Sequence, residues 1–358
     1  MQIKEINKNL PNWILDYNKE SEKIVISTRA RIARNIKGYP YLYIISEKEK
    51  AEILKKVESA VINSSALGND IIILKLNKTS NSTKTFLKEK FLATDYLVQG
   101  DNKEVIFNKD MNTAILVNEE DHIRIQSICA GFHPRKVFNI VADIERKLEE
   151  YVDYDFYNEF GYLTSCPTNV GTGLRISTMV HLPAINFMKK FDNIVKTLKS
   201  SGFTIRGFAG EGSAILGDIY QISNQFTLGV NENSIISRMT MAVRKIIALE
   251  KKYQHKIKNT DDLYKIVKNK IIRSFNILRY SKTIELNEAF EHLATLRFAL
   301  ELEVIIKGVS YLLLNKLFIL IQPMHLMKYY NIPRERFDKE LESTLRAKLI
   351  RQFLRGEK

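Results

Sequence analysis

Glycine almost disappears from this chain after residue 230: thirteen of its fifteen glycines precede that point and two follow it. A chain that needs tight turns in one part and hardly any in the other is built from two kinds of structure. Its 358 residues also exceed the usual range of a single domain. Before residue 230, EKIVIS ahead of Arg29 and DIIILKL from Asp70 have the length and β-branched composition of strands. EVIFNKDMNTAILV reads as two strands joined by a polar turn around Asn108–Asn112. Val137, Ile140, Val141, Ile144 and Leu148 then recur at helical spacing, and a second amphipathic segment covers about 186–198. Hairpins interrupted by helices give an α+β fold with an antiparallel or mixed sheet. After residue 230 helical periodicity takes over. Thr260 is placed to cap Asp261 and Asp262, a second helix covers Glu288–Leu302, and a third begins near Glu335. The expected division is an α+β domain over 1–235 and an all-helical C-terminal domain over 236–358.

Charge and cysteine content narrow the setting. Fifty-five Lys and Arg against forty-one Asp and Glu leave a formal charge of +14, which favours anionic partners without choosing among them. Two cysteines, Cys129 and Cys166, exclude a disulfide framework and fit a reducing, cytoplasmic setting. The segment MQIKEINKNLPNW lacks a signal-peptide core, and YLLLNKLFILI from Tyr311 is too short and interrupted to span a membrane. A soluble protein is expected.

Four segments can carry chemistry. In Ser27-Thr28-Arg29-Ala30-Arg31, the two arginines on an extended backbone share a face and can clamp one anion; two solvated arginines on an edge strand are the plainer alternative. Asn118-Glu119-Glu120-Asp121-His122-Ile123-Arg124 crowds three acids, which can hold a cation, accept a proton or bind a metal, or else form a solvated strand end. His122 by itself reads as structural. Cys166-Pro167-Thr168-Asn169-Val170-Gly171-Thr172-Gly173-Leu174-Arg175 offers a thiol, close backbone approach and a phosphate ligand, but no Lys-Ser/Thr pair follows the glycines as in a P-loop. Its alternative is a tight turn with a buried thiol. Arg206-Gly207-Phe208-Ala209-Gly210-Glu211-Gly212-Ser213 is a glycine-rich loop around one carboxylate, or a surface turn. Together these parts fit phosphoryl transfer from a nucleotide to a basic nitrogen: arginines neutralise the transferring group, and carboxylates hold the acceptor and take its proton.

STRARIARN, NEEDHIRIQ, LTSCPTNVGTGLR and RGFAGEGS with IYQISNQ, in this order and spacing, resemble the ATP:guanido phosphotransferase family and most closely its protein-arginine kinase branch. The resemblance implies a catalytic domain on an antiparallel sheet flanked by helices. It implies that Arg29, Arg31, Arg124, Arg175 and Arg206 bind ATP phosphates. Ser27, Thr28, Ala30, Ile176, Ser177, Thr178, Met179, Gly207, Phe208, Ala209 and Gly210 complete the nucleotide site, with Phe91 where relatives often have a nucleotide-contacting histidine. Glu120 and Glu119 would be catalytic carboxylates, with Glu120 orienting the guanidinium and taking its proton; Glu211, also counted in the nucleotide site, would hold its other side and Cys166 would lie against it. Mg²⁺ would be held through nucleotide oxygens rather than by a protein cage.

The branch rests on architecture and on two positions. The helical unit follows the catalytic part, as in protein-arginine kinases, and Gln221 and Met179 stand where the small-molecule branch tends to have Asp and His. The resemblance implies protein substrates, marking for a Clp-type protease or inactivation of a stress-response repressor, a zinc-binding activator, a Clp ATPase partner and a homodimer formed through the helical unit. Neither a membrane nor direct nucleic-acid binding is implied. Ala214 replaces a usual Glu, and Glu342-Ser343-Thr344-Leu345-Arg346-Ala347 keeps only Arg346 and Ala347 of an Arg-Asp-x-x-Arg-Ala phosphoarginine signature. The rivals are a small guanidino kinase and a catalytically silent nucleotide-binding adaptor or basic nucleic-acid binder.

Overall fold

The computed structural model describes residues 10–16, 23–207 and 216–356. Its strands are β1 (Val25–Arg34), β2 (Ile71–Lys75), β3 (Glu104–Asn108), β4 (Thr113–Val117), β5 (Ile123–Ala130), β6 (Phe156–Tyr157), β7 (Gly161–Tyr162), β8 (Leu174–His181), β9 (Phe203–Gly207) and β10 (Ile219–Asn224). Eight of them form one sheet in the order β2-β3-β4-β5-β1-β8-β10-β9, with every neighbouring pair antiparallel. The α+β architecture, an antiparallel sheet flanked by helices and followed by a helical region, is as expected. β6 and β7 form a separate short hairpin.

Because side chains alternate along a strand, the sheet has two faces of different character. One carries Ala30, Ile32, Ile125, Ile176 and Ile222, which share a core with the helices Glu47–Ser64, Pro134–Glu149 and Glu232–Lys258. The other face is divided. Across β2, β3 and β4 it is apolar, and Leu74, Phe107 and Leu116 pack with Leu293, Leu317 and Leu349 of the C-terminal helices. Across β5, β1, β8 and β9 it carries arginines, and β10 between the last two contributes Gln221. The C-terminal helices cover the apolar half and leave the charged half open as a cleft.

Several expected elements shift. The first strand does not stop before Arg29 but runs through Arg34, so its arginines belong to the sheet. The segment at 186–198 is two helices, Pro183–Phe187 and Phe191–Ser200. Thr260 stands at the N-cap of Asp261–Tyr280 without a side-chain capping bond. The last helix is Lys339–Arg355, capped by Asp338, and only a single 3-10 turn occupies Arg334–Arg336. The 235/236 boundary falls in the first turn of Glu232–Lys258, whose Ile236, Met239, Val243 and Ile247 belong to the sheet's core. We propose that the two units divide at the turn after Lys258, because an apolar stripe, not glycine content, decides which core a helix joins. Among the described residues, no helix is long and apolar enough to cross a membrane.

Buried polar groups fasten the two units. Glu250 accepts the N–H groups of Ala184 (2.8 Å) and Ile185 (2.9 Å), and Gln254 bridges Glu250 and Glu301. Glu301 in turn meets His181 Nδ1 at 2.7 Å. Glu104 is different: it is fully buried on β3 opposite Lys75, and neither carboxylate oxygen has a hydrogen-bond partner. Burial, and then the charge of Glu58, push it up to about 7 against the pull of Lys75. A carboxyl raised in the folded state stabilises the fold fully below its unfolded value near 4.5, and that contribution is lost as pH rises through about 7. Glu104→Gln is therefore expected to be more stable than the parent at pH 8 by on the order of 2 kcal/mol, with the difference shrinking toward pH 5. Urea unfolding at both pH values measures it.

Candidate active site

Strand register assembles the cleft floor. Arg31 on β1 lies opposite Arg175 on β8 and Gln126 on β5, and Arg29 lies opposite Ser177 and Ile128. Arg124 from β5 and Arg206 from β9, which is opposite Gln221, complete five arginines lining a cleft of about 800 Å³. Arg29 Nη2 donates to Gln221 Oε1 at 3.3 Å, and Arg175 Nη2 donates to Ser223 Oγ at 3.1 Å. Burial, and then the charges of Arg124 and Arg175, lower Arg29 to about 10. Arg31 is lowered well below its ordinary value by burial, then by Arg29, Arg124 and Arg175. Guanidinium groups stay charged at neutral pH. Burial and mutual repulsion both weigh on these cations, and a polyanion in the cleft would offset that.

The nucleotide residues expected as continuous runs divide between the two faces. Ser27, Arg29 and Arg31, and Arg175, Ser177 and Met179, share the cleft's face by register. Ala30 and Ile176 point into the opposite core, and Thr178 is fully buried on that side. Thr28 also faces away: its hydroxyl donates to Gly131 O (2.6 Å) and accepts from His133 N–H (3.1 Å), fixing the entry to the Pro134–Glu149 helix. The side chains of these four are structural. Gly207 lines the cleft. Phe208, Ala209, Gly210, Glu211 and Ala214 lie outside the described residues.

The three adjacent acids do three different things. Glu120 is 40% exposed and lines the cleft. Arg124 holds it from Nη2 at 2.6 Å and holds Glu119 from Nη1 at 2.7 Å. Glu119 is buried, and it also accepts the Thr94 hydroxyl (2.5 Å) and the Glu120 N–H (2.7 Å). It positions Glu120 and Arg124 rather than facing a ligand. Asp121 is fully buried, accepting from Asn35 Nδ2 (2.9 Å) and from the Ser165 N–H (2.6 Å) next to Cys166. Asn118 makes the turn possible by adopting φ +56°, a conformation asparagine tolerates. His122 accepts the Ile36 N–H at Nδ1 (3.0 Å), with Nε2 at 2.9 Å from Pro40 O, and burial lowers it, so its ring is neutral and structural. Among the described residues no three His, Cys, Asp or Glu side chains group as a metal site.

Cys166 opens a turn in which its Sγ lies 3.0 Å from Thr168 Oγ1. Asp121 anchors the turn from one side, and the Thr227 hydroxyl reaches Thr168 O (2.9 Å) and Val170 O (2.7 Å) from the other. Gly173 closes it at φ +62°, where a Cβ would come within 2.6 Å of Ala33 O. Only glycine fits there.

Phe91 lines the cleft from the opposite wall. It follows the helix Asn81–Glu89 at φ +61°, with Leu92 N–H donating to Leu87 O (3.0 Å) and Phe91 N–H to Lys88 O (2.9 Å). This is the helix-ending geometry that normally takes glycine. An aromatic residue held there is strained, and such strain concentrates at functional sites. Its ring packs edge-on against Trp13, with centroids 5.6 Å apart.

Arg346 has no such freedom. It is fully buried, donating to Ile321 O (2.9 Å) and Ile284 O (3.0 Å) and pairing with Glu342, while Ala347 is buried beside it. What remains of the phosphoarginine signature is structural. The sequence reading missed the cleft residues that the C-terminal helices contribute, Leu286, Asn287, Phe290 and Gln322, and also Thr94. No local pattern marks them, since they reach the cleft only through tertiary packing. Asp121 was legible as an acid but not as the anchor of the thiol loop. Asp121→Ala is expected to leave Ser165 N–H and Asn35 unpaired, costing about 1–3 kcal/mol of stability. Displacement of Cys166 is expected to lower kcat at least about tenfold with KM for nucleotide little changed, as urea unfolding and steady-state kinetics of the variant check.

Comparison with known proteins gives the family. Residues 52–253 match the ATP:guanido phosphotransferase C-terminal catalytic domain, and residues 264–358 match the protein-arginine kinase McsB C-terminal domain. The protein-arginine kinase of Clostridium acetobutylicum is 37% identical over 97% of this chain and 100% of its own. That of Pelotomaculum thermopropionicum is 33% identical over 98% of each chain. The crystal structure of a lombricine kinase superposes with a TM-score of 0.59 at 26% identity, over 71% of this chain and 74% of that one. The chain belongs to the ATP:guanido phosphotransferase family, in its protein-arginine kinase branch.

Proposed function

We propose that this member of the protein-arginine kinase branch transfers the γ-phosphoryl group of ATP to arginine side chains of proteins. The observation that carries the reading is one cleft holding five arginines and, beside them, Glu120 and Cys166. Arg29, Arg31, Arg124, Arg175 and Arg206 bind the nucleotide's phosphates, and five cations gathered in one cleft fit that polyanion. Mg²⁺ bound with the nucleotide would add charge neutralisation.

An arginine guanidinium is a poor nucleophile, because it is protonated and its lone pairs are delocalised. Glu120 accepts its N–H groups, turns one nitrogen toward the γ-phosphorus and takes the proton released as the N–P bond forms and the bond to ADP breaks. Glu119 and Arg124 hold Glu120 in place. Cys166 packs against the acceptor's plane, and the family resemblance gives Glu211 the task of holding the guanidinium as well. Positioning and charge stabilisation supply the acceleration. A protein acceptor is supported by the match to the McsB C-terminal domain and by Gln221 and Met179 on the sheet. Marking of proteins for a Clp-type protease or inactivation of a stress-response repressor, a zinc-binding activator, dimerisation and a cytoplasmic setting belong to the same reading, supported by the family resemblance.

The test offers γ-labelled Mg·ATP with an unstructured arginine-rich protein and, separately, free arginine, and assays acid-labile N–P product. Label is expected on protein arginines and is expected to vanish in Glu120→Gln, which still binds nucleotide. Label on free arginine alone would move the chain to the small-guanidino reading. No label on either, even with an activator added, would favour the silent adaptor. Phe91→Gly is expected to raise KM for ATP several-fold, since it removes a ring from the nucleotide wall. Its stability is expected to change by less than about 1 kcal/mol, because relief of left-handed strain offsets the lost ring contact. Thermal melts and ATP titration separate the two effects.

A further inference from the structure

In a chain with fifty-five lysines and arginines, residues 148–174 contain none. The same stretch holds five acids, Glu149, Glu150, Asp153, Asp155 and Glu159, all exposed except the half-buried Asp155. Interleaved with them are exposed aromatic rings: Tyr151 (44%), Phe156 (51%), Tyr157 (54%) and Phe160 (45%). Tyr157 and Phe160 stack on each other with centroids 5.8 Å apart, at the tip of the β6–β7 hairpin. Single exposed apolar side chains are ordinary, but a contiguous group rimmed by charge marks an interaction surface.

The hairpin is joined directly to the acceptor end of the cleft. Tyr162 and Gly171 exchange backbone hydrogen bonds at 2.9 and 3.1 Å. A Cβ on Gly161 would stand 2.7 Å from Gly171 O, so the two segments touch backbone to backbone. Gly171 belongs to the turn whose Cys166, Thr168 and Asn169 line the cleft. On its far side it packs against Thr227 and Leu228, and there Phe226 and Leu228 are half exposed. An apolar, acidic segment is therefore joined through Gly171 to the turn that lines the site.

We infer that this strip, the β6–β7 hairpin and the turn before it, docks the polypeptide around the acceptor arginine, and that it fits an extended segment bearing further cationic and apolar side chains. The inference rests on the proposed arginine transfer. Carboxylates and aromatic faces both attract guanidinium and ammonium groups, and stacked rings accept aliphatic side chains. The strip's sign is opposite to that of the rest of the chain, so it repels nucleic acid and nucleotide while drawing a basic peptide toward Cys166 and Glu120. An extended segment also delivers an arginine whose side chain is not already engaged in a folded surface.

The test compares a disordered peptide, with one arginine flanked by lysine and leucine, against N-acetyl-arginine methylamide. The enzymes are the parent, Tyr157→Ser/Phe160→Ser and Asp153→Asn/Glu159→Gln. Each pair of changes is expected to lower kcat/KM for the peptide about tenfold relative to the small acceptor, mainly through KM. The parent's peptide KM is expected to rise with salt more steeply than that of the amide variant. An unchanged peptide KM would overturn the inference. So would an equal loss on both acceptors, which would make the hairpin a mere support for the Cys166 turn. Altered sedimentation with unchanged KM would reassign the strip as a contact between copies. A parent that labels neither acceptor would instead break the arginine-transfer reading itself.

Discussion

Five guanidinium groups on one face of a sheet repel one another, and the rest of the molecule is arranged around that repulsion. Glu119 and Glu120 answer part of it through Arg124, and all five side chains line the cleft. Alternation along β1 and β8 places Ile32 and Ile176 directly behind Arg31 and Arg175, so the same strands that carry the charge anchor the main core. The helices Glu47–Ser64, Pro134–Glu149 and Glu232–Lys258 brace that side. A strand slipped by one residue would bury arginines and expose isoleucines, which makes the register itself a condition of the site.

Buried polar side chains tie down the loops around the cleft. Asn35 and Asp121 tie the end of β1 to the Cys166 turn. Arg34, pointing away from the cleft, pairs with Glu145 and lies 3.4 Å from the centre of the Tyr162 ring, so the aromatic hairpin is fixed to the helix beneath it. On the opposite wall Glu89 accepts the N–H groups of Met324 (2.9 Å) and His325 (3.1 Å) at the start of the helix Pro323–Tyr329. That bond couples the Phe91 turn to the C-terminal helices. Leu286, Asn287 and Phe290 then finish the cleft from that unit. The helical unit is thus part of the site's wall, and its packing bears on what the cleft accepts.

The distribution of charge gives the two ends of the cleft different partners. The arginine floor suits phosphate, whereas the cation-free stretch at 148–174 suits a basic polypeptide. A net charge of +14 conceals this division, because it sums over surfaces that face different ligands.

The sequence by itself determined the parts. Strand-length β-branched runs, helical stripes and the loss of glycine after residue 230 made the α+β plan legible, and the spacing of STRAR, NEEDHIR and CPTNVGTGLR made the chemistry legible, because these depend on local periodicity and residue type. Tertiary structure decided the roles. Which acid faces the ligand among Glu119, Glu120 and Asp121 depends on a turn at Asn118 and on partners as distant as Thr94 and Ser165. Which of Ser27 to Arg31 reaches the cleft depends on strand phase, which the motif alone does not state. Arg346, one of the two residues left of a binding signature, proved to hold two carbonyls in the core. Contacts between residues far apart in the chain carry no local pattern, so only the packed fold could assign them.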